Sequence, residues 1–366
     1  MNLLQILPRV PPATCGVGDY AWRIARSLRD RHGIQSQFLS AGTTWVQPKS
    51  EPEFPVFRLD DLRSEGLIHA LSELAIQPDA ILLQVSPYGY QKRGVPWALA
   101  QSLRRLTKSP GHPPVMAMFH ELFASGPPNT SAFWLQPLQK LILRKIAQIS
   151  EARFTNREHY ARWLDAQSTG RKTLTLPVFS NLGECSLPAP LISRAPAMVM
   201  FVSSNQSELP LSQIIDQAAD LALKMGLTTL HLVGNRSGIS LRSPGVEVIW
   251  HGFLEVEEAS RLLATCRMAY TAYSPDHLGK SGLMAAFAAH GLAVITRGLQ
   301  PHLPDGLSDG REVFHEAGLS TRPAPELSEL QTVASNLHTW YQPHSLSNTA
   351  RSYADHLHEM RRAQKP

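Results

Sequence analysis

The chain has 366 residues, 43% of them hydrophobic and 18% charged, which suits globular packing and is long enough for two cores. No apolar run approaches the roughly 20 residues of a membrane span, so no spanning helix is expected. The net charge of +5 comes from Lys and Arg residues that read as scattered, not gathered into one stripe, which argues against a nucleic-acid partner and leaves room for an anionic ligand or lipid surface.

Residues 3–7 form an apolar run with no basic segment ahead of it, so a strand and no secretory leader are expected there. A helix is predicted over 17–31, strands over 36–39, 81–85 and 115–119, and helices over 97–106 and 135–149, where apolar residues recur at three and four. Gly183, Pro188, Pro190 and Pro196 then interrupt the pattern, and 181–197 reads as a linker. The alternation restarts with strands over 198–202, 229–233, 246–250, 268–272 and 293–296 and helices over 211–225, 256–266 and 282–290. A last helix is expected over 345–362, with Leu346, Ala350, Tyr353, Leu357 and Met360 at intervals of three and four. Strands separated by helices imply parallel sheets covered on both faces. The expected fold class is α/β: two doubly wound, Rossmann-like domains, 1–180 and 198–344, facing a cleft. Cys15, Cys185 and Cys266 are odd in number and widely spaced, which fits a reducing cytoplasm better than a disulfide framework or zinc cluster.

Chemistry concentrates in the stretch 276–295. Gly279, Ser281 and Gly282 let backbone approach an anion, a helix beginning there aims its free N–H groups and positive dipole end at it, and Lys280 adds a full charge. The same residues also suit an ordinary strand, loop and helix. In the first half, the loop 10–20 contains Gly16 and Gly18, a binding loop or a plain turn, beside Asp19, which would repel phosphate. Tyr88 lies in a polar, aromatic loop suited to a sugar or an acceptor. His120 and Glu121 follow the strand 115–119 at the carboxyl edge of the sheet, where α/β folds bind ligands; a structural histidine is the competing reading. The helix 135–149 carries Lys140, Arg144 and Lys145 among Leu138, Leu141, Ile142 and Ile146. That pattern suits a core helix with a solvated basic face, the commoner case, and also peripheral contact with anionic lipid at the cytoplasmic face of a membrane. No H-x-x-x-H spacing occurs, so a helical metal site is not expected.

Taken in order, these segments resemble the retaining, nucleotide-sugar-dependent glycosyltransferases of the GT-B fold, the group called family 4 or glycosyl transferases group 1. Gly16-Val17-Gly18-Asp19-Tyr20 is similar to the family's N-terminal glycine loop, and Phe119-His120-Glu121 to its first-domain histidine. Phe201-Val202-Ser203-Ser204 stands where the second domain opens, and Leu232-Val233-Gly234-Asn235 resembles the strand-to-glycine turn that follows. His251-Gly252-Phe253-Leu254-Glu255 resembles the turn whose backbone holds the nucleotide base, and Ala289-His290-Gly291-Leu292-Ala293-Val294-Ile295 the end of the signature helix. The resemblance implies a UDP- or GDP-sugar as co-substrate, retention of configuration, no cofactor and no metal. It places His120 near the donor sugar and implies that the final helix, 345–366, crosses back to the first domain; Asp19, Tyr88 and Glu121 are the candidates for the acceptor side.

The departures bear on activity. The family's two donor-loop glutamates, eight positions apart, fall on Leu278 and Ala286, whose side chains accept no hydrogen bond. The Arg and Lys that neutralise the diphosphate early in the second domain fall on Ser204 and about Leu209. Lys280 and Arg236 are the replacements available for that charge, with Ser281, Gly282 and Leu283 as backbone donors, and Asp276 as a group in reach of sugar hydroxyls. The expectation is therefore a glycosyltransferase acting on an unnamed glycan, lipid-linked or small-molecule acceptor. Its rival is a catalytically silent homologue that binds a nucleotide or glycan, or scaffolds an assembly.

Overall fold

The apolar runs pair into two all-parallel sheets in the computed structural model, which describes every residue except 14, 43–44, 47–51, 60–65, 168–169, 203–208, 236–244, 274, 298–303 and 364–366. The chain divides into two units, residues 1–176 with 346–366, and residues 177–345. The first unit contains β1 (Asn2–Leu7), β2 (Gln35–Ser40), β3 (Val56–Arg58), β4 (Ala80–Val85), β5 (Val115–Phe119), β6 (Ala152–Thr155) and β7 (Leu174–Thr175), in the order β3-β2-β1-β4-β5-β6-β7. Its helices are α1 (Gly16–His32), α2 (Gly66–Ser72), α3 (Pro87–Tyr90), α4 (Trp97–Leu106), α5 (Ser131–Ile149) and α6 (Glu158–Asp165). β4 and β5 are buried along their whole length, as strands covered on both faces must be, and their apolar residues join those of β1, α4 and α5 in one core.

Polar side chains also cross that core. Gln5 and Gln84 are fully buried, and the Gln84 amide donates to Gln5 Oε1 at 2.9 Å while Gln5 donates to Ser36 Oγ at 3.3 Å. Each amide is satisfied by the next, which makes burial tolerable.

The second unit repeats the plan. Strands β8 (Ala195–Val202), β9 (Thr229–Gly234), β10 (Glu247–Gly252), β11 (Cys266–Thr271), β12 (Ala293–Thr296) and β13 (Phe314–His315) lie in the order β10-β9-β8-β11-β12-β13. The helices are α7 (Leu211–Lys224), α8 (Val256–Thr265), α9 (Gly282–Ala289), α10 (Glu316–Ser320) and α11 (Leu327–Tyr341). Residues 181–197, read from sequence as a linker, belong to this unit: Leu191 is fully buried in its core, and the Arg194 guanidinium donates to the carbonyls of Ala189, Cys266 and His290. In each sheet the strand order reverses once, between β1 and β4 and between β8 and β11, and such reversals open crevices at the carboxyl ends of the strands.

The final helix, α12 (Leu346–Ala363), packs on α1 in the first unit and buries Thr349, Ala350, Tyr353, Ala354 and Leu357. Tyr353 Oη lies 3.0 Å from Tyr20 Oη, and its ring meets Phe154 edge-on at 4.6 Å. Among the described residues, no helix is long and apolar enough to cross a membrane.

Candidate functional site

At the reversal of the second sheet, β11 ends at Thr271 and the chain passes through Tyr273 into a 3-10 turn, Pro275–Lys280, and then α9. Ser281 caps the helix: its Oγ accepts from the Met284 N–H at 3.2 Å, and its carbonyl takes the Ala285 N–H at 3.0 Å. The Ser281 N–H, expected to face an anion, is instead spent on Leu278 O at 3.1 Å, because the 3-10 turn closes on itself. Among the described residues, the Gly282 and Leu283 N–H groups have no hydrogen-bond partner, so they are the donors this helix end offers.

Those two residues, with Lys280 and Ser281, line a pocket of about 250 Å³ completed by Asn181, Tyr273 and His277. The volume falls below the roughly 300–1,000 Å³ of sites that enclose a whole small-molecule ligand, and matches a diphosphate better than an entire nucleotide sugar. Close packing fixes its walls. A Cβ on Gly279 would stand 2.5 Å from Asp305 Oδ2, and one on Gly282 would stand 3.1 Å from Asn181 Cγ. Asn181, Tyr273 and His277 were missed in the sequence as site residues. Tyr273 and His277 sit at the carboxyl end of a predicted strand, which is a usable signal. Asn181 has none, since it arrives through a distant backbone bond from Val178 N–H to Gly279 O at 2.9 Å.

The other predicted residues of this unit collect along the same carboxyl edge. Gly234 ends β9 with φ +131°, and a Cβ there would meet Val202 O at 2.4 Å; Asn235 follows it. His251 and Gly252 end β10, with Gly252 at φ +68°, and Phe253 stands 85% exposed just beyond. His251 Nε2 lies 2.9 Å from His231 Nδ1, and burial, then the neighbouring His251, holds His231 below the ordinary histidine range. Asp276 lies in the 3-10 turn but is not among the pocket-lining residues. Leu278 is 1% exposed and Ala286 fully buried, so the two positions that align with donor-loop glutamates are core positions here. Ser203, Ser204 and Arg236 lie outside the described residues.

In the first unit, Gly16, Gly18 and Asp19 belong to the opening turn of α1 and do not form a loop. Gly18 is required by close approach, since a Cβ would stand 2.5 Å from Arg9 O, whereas Gly16 has open space. Tyr88 is 41% exposed, and its hydroxyl accepts from Gln139 Nε2 at 3.0 Å. Glu121 accepts from Ser86 Oγ at 3.3 Å. His120 is buried, its ring 4.9 Å from that of Tyr20, and its Nε2–H donates to Gln84 Oε1 at 2.7 Å. The Gln84 carbonyl oxygen faces the imidazole because its amide is committed to Gln5, which sets the tautomer and leaves Nδ1 as an acceptor. Burial pushes the imidazole down to about 3, so it is neutral at physiological pH. No three His, Cys, Asp or Glu side chains among the described residues gather as a metal ion would need.

No protein-family model and no curated protein matches the chain. Solved structures do match along nearly the whole length. A glycosyltransferase from Rickettsia africae ESF-5 superposes with a TM-score of 0.60 at 12% identity, covering 98% of both chains. The chain has the GT-B fold. A UDP-forming α,α-trehalose-phosphate synthase from Burkholderia vietnamiensis gives 0.58 at 9% identity over 99% of both chains. The S. aureus MnaA–UDP co-structure gives 0.58 at 10% identity over 100% of this chain and 98% of that one. Likeness at such identities establishes the GT-B architecture, and the activity has to be argued from the site.

Proposed function

We propose that this GT-B chain is a glycosyltransferase whose donor is a nucleoside-diphosphate sugar, UDP- or GDP-linked, with the diphosphate held at Lys280–Leu283. The observation that carries the reading is the start of α9, where two unsatisfied N–H groups and a lysine line one pocket of diphosphate size. Structures of the same fold that contain UDP support it. Breaking a sugar–phosphate bond loads negative charge onto the leaving diphosphate and positive charge onto the sugar ring. Donors fixed before the reaction stabilise the leaving group without having to reorganise. Gly282 and Leu283 N–H groups, the Ser281 hydroxyl proton and the Lys280 ammonium take that role, and the exposed Phe253 ring offers a stacking face for the base. Transfer proceeds with retention and without a metal in this proposal.

A second reading has its own observation. Leu278 and Ala286 are buried apolar residues where carboxylates would hold sugar hydroxyls and ribose, so the site is equipped for the diphosphate and poorly for the sugar. A homologue that binds nucleotide without transferring sugar fits that asymmetry. Calorimetry with UDP, GDP, ADP, TDP and their sugars tests both readings. Lys280→Ala is expected to weaken binding by about 1.5–3 kcal/mol, roughly 10- to 150-fold. Unchanged affinity in the folded variant removes the diphosphate from this pocket. Binding without transfer to any acceptor, and without slow donor hydrolysis, favours the silent reading.

A further inference from the structure

The Lys and Arg residues are scattered, as read from the sequence, but the acidic residues are not, and one segment is left with an unbalanced positive charge. Residues 80–150 hold eight of the 35 Lys and Arg residues and one of the 30 Asp and Glu residues, Glu121. The excess of this one segment exceeds the net charge of the whole protein. Within it, α5 is apolar on two faces. Its inner face buries Ile142, Leu143, Ile146 and Ala147 in the core of the first unit. On the outer face Phe133, Trp134, Leu138 and Leu141 are 43, 72, 39 and 39% exposed. Spacings of one, four and three residues put these four on a single stripe, which Arg144 continues.

The stripe is held in place. The Trp134 indole N–H donates to Pro128 O at 2.9 Å, and its ring meets Phe133 edge-on at 5.3 Å. Lys145 Nζ stands 5.4 Å from the ring of Trp97, itself 38% exposed, so the cationic side chain lies against a neighbouring aromatic at the margin of the stripe. Gln139 ties the turn containing Lys92 and Arg93 to the same helix through Arg93 O at 2.9 Å. Exposed aromatic and aliphatic side chains bordered by Lys and Arg, with no acidic residue on the helix, are the pattern of a surface that lies in a lipid headgroup layer. A nucleic acid would use the cations, yet it has no use for exposed Leu138 and Leu141.

We infer that the outer face of α5, from Phe133 to Lys145, docks on a bilayer containing anionic phospholipid. The lipid charge meets Arg144, Lys145, Lys92 and Arg93, and the acyl boundary receives Trp134, Leu138 and Leu141. This surface belongs to the first unit and the α9 pocket to the second, and they share no residue, so the inference holds or fails independently of the proposed transfer reaction.

Flotation with phosphatidylcholine vesicles, with and without phosphatidylglycerol, tests it on the full chain. The wild type is expected to float with the anionic vesicles and to be released by salt. Leu138→Asp/Leu141→Asp and Arg144→Glu/Lys145→Glu are each expected to weaken that binding about ten-fold or more at unchanged melting temperature. Loss in both variants supports the docking face, because charge alone does not predict sensitivity to the leucine pair. Three results overturn it: no flotation with either vesicle, equally tight binding to duplex DNA that the leucine substitutions leave intact, or a dimer in sedimentation that those substitutions convert to monomer.

Discussion

Replacing Tyr20 by Phe is expected to weaken the first unit by about 1–3 kcal/mol, and replacing Tyr353 as well is expected to restore most of the loss. The two hydroxyls lie 3.0 Å apart with Tyr20 5% exposed and Tyr353 fully buried, and they join α1 to α12 across 333 residues of sequence. Removing the Tyr20 oxygen leaves Tyr353 Oη inside the protein without that partner and out of reach of water, so the variant loses the bond and retains the desolvation of a hydroxyl. Removing both oxygens leaves two apolar rings of nearly unchanged shape, which is close to neutral. The double-mutant cycle should therefore show coupling of about 1–2 kcal/mol, with the double variant more stable than Tyr20→Phe alone. For a unit of this size each kcal/mol moves Tm by roughly 2–4 °C, so a thermal melt resolves the series. Simple additivity, or an unchanged Tm in Tyr20→Phe, would refute the assignment of this pair as a sealed contact between the terminal helix and α1.

Three further outcomes follow from the same structure. Burial holds His120 and His344 down at about 3, below the roughly 6.5 of an unfolded chain, so between those values the unfolded state binds more protons and stability falls as pH drops below 6.5, by up to about 1.4 kcal/mol per pH unit for each imidazole. Urea midpoints that stay level from pH 7 to pH 5 would contradict this. Ser281→Ala removes the cap of α9 and is expected to lower stability by about 0.5–2 kcal/mol and weaken UDP binding, both readable in one calorimetric and melting series; full retention of both would show that the cap is dispensable. Gly279→Ala forces the Asp305 carboxylate, itself buried, away from the turn, so nucleotide affinity should fall with stability, and wild-type affinity in that variant would mean the turn does not shape the site.

The sequence shows the architecture more clearly than the chemistry. β5 and β12 occupy the predicted residues, and β1, β2, β4 and β9 extend the predicted runs by a residue or two, because strands covered on both faces keep an apolar stretch that marks them. The short edge strands β3, β7 and β13 escape that rule, and so does β6, whose apolar pattern a charged residue interrupts. β6 contains Arg153, whose buried guanidinium donates to the carbonyls of Leu164 and Arg171 and lies 3.6 Å from the Asp165 carboxylate, a compensation no local pattern announces. In the site, Lys280 and the start of α9 were legible from composition. The occupied Ser281 N–H depends on turn geometry, and Asn181 on a backbone bond that spans 101 residues, so neither was accessible from local sequence. The basic segment at 80–150 was legible from charge alone and was obscured by averaging over the chain.

The central claim is that a nucleoside diphosphate sits with its phosphates on the start of α9, and a crystal structure of the chain with UDP tests it most directly. The account predicts phosphate oxygens within hydrogen-bond distance of the Gly282 and Leu283 N–H groups, with the Lys280 ammonium on the same diphosphate. UDP density elsewhere, with that helix start empty, would contradict it.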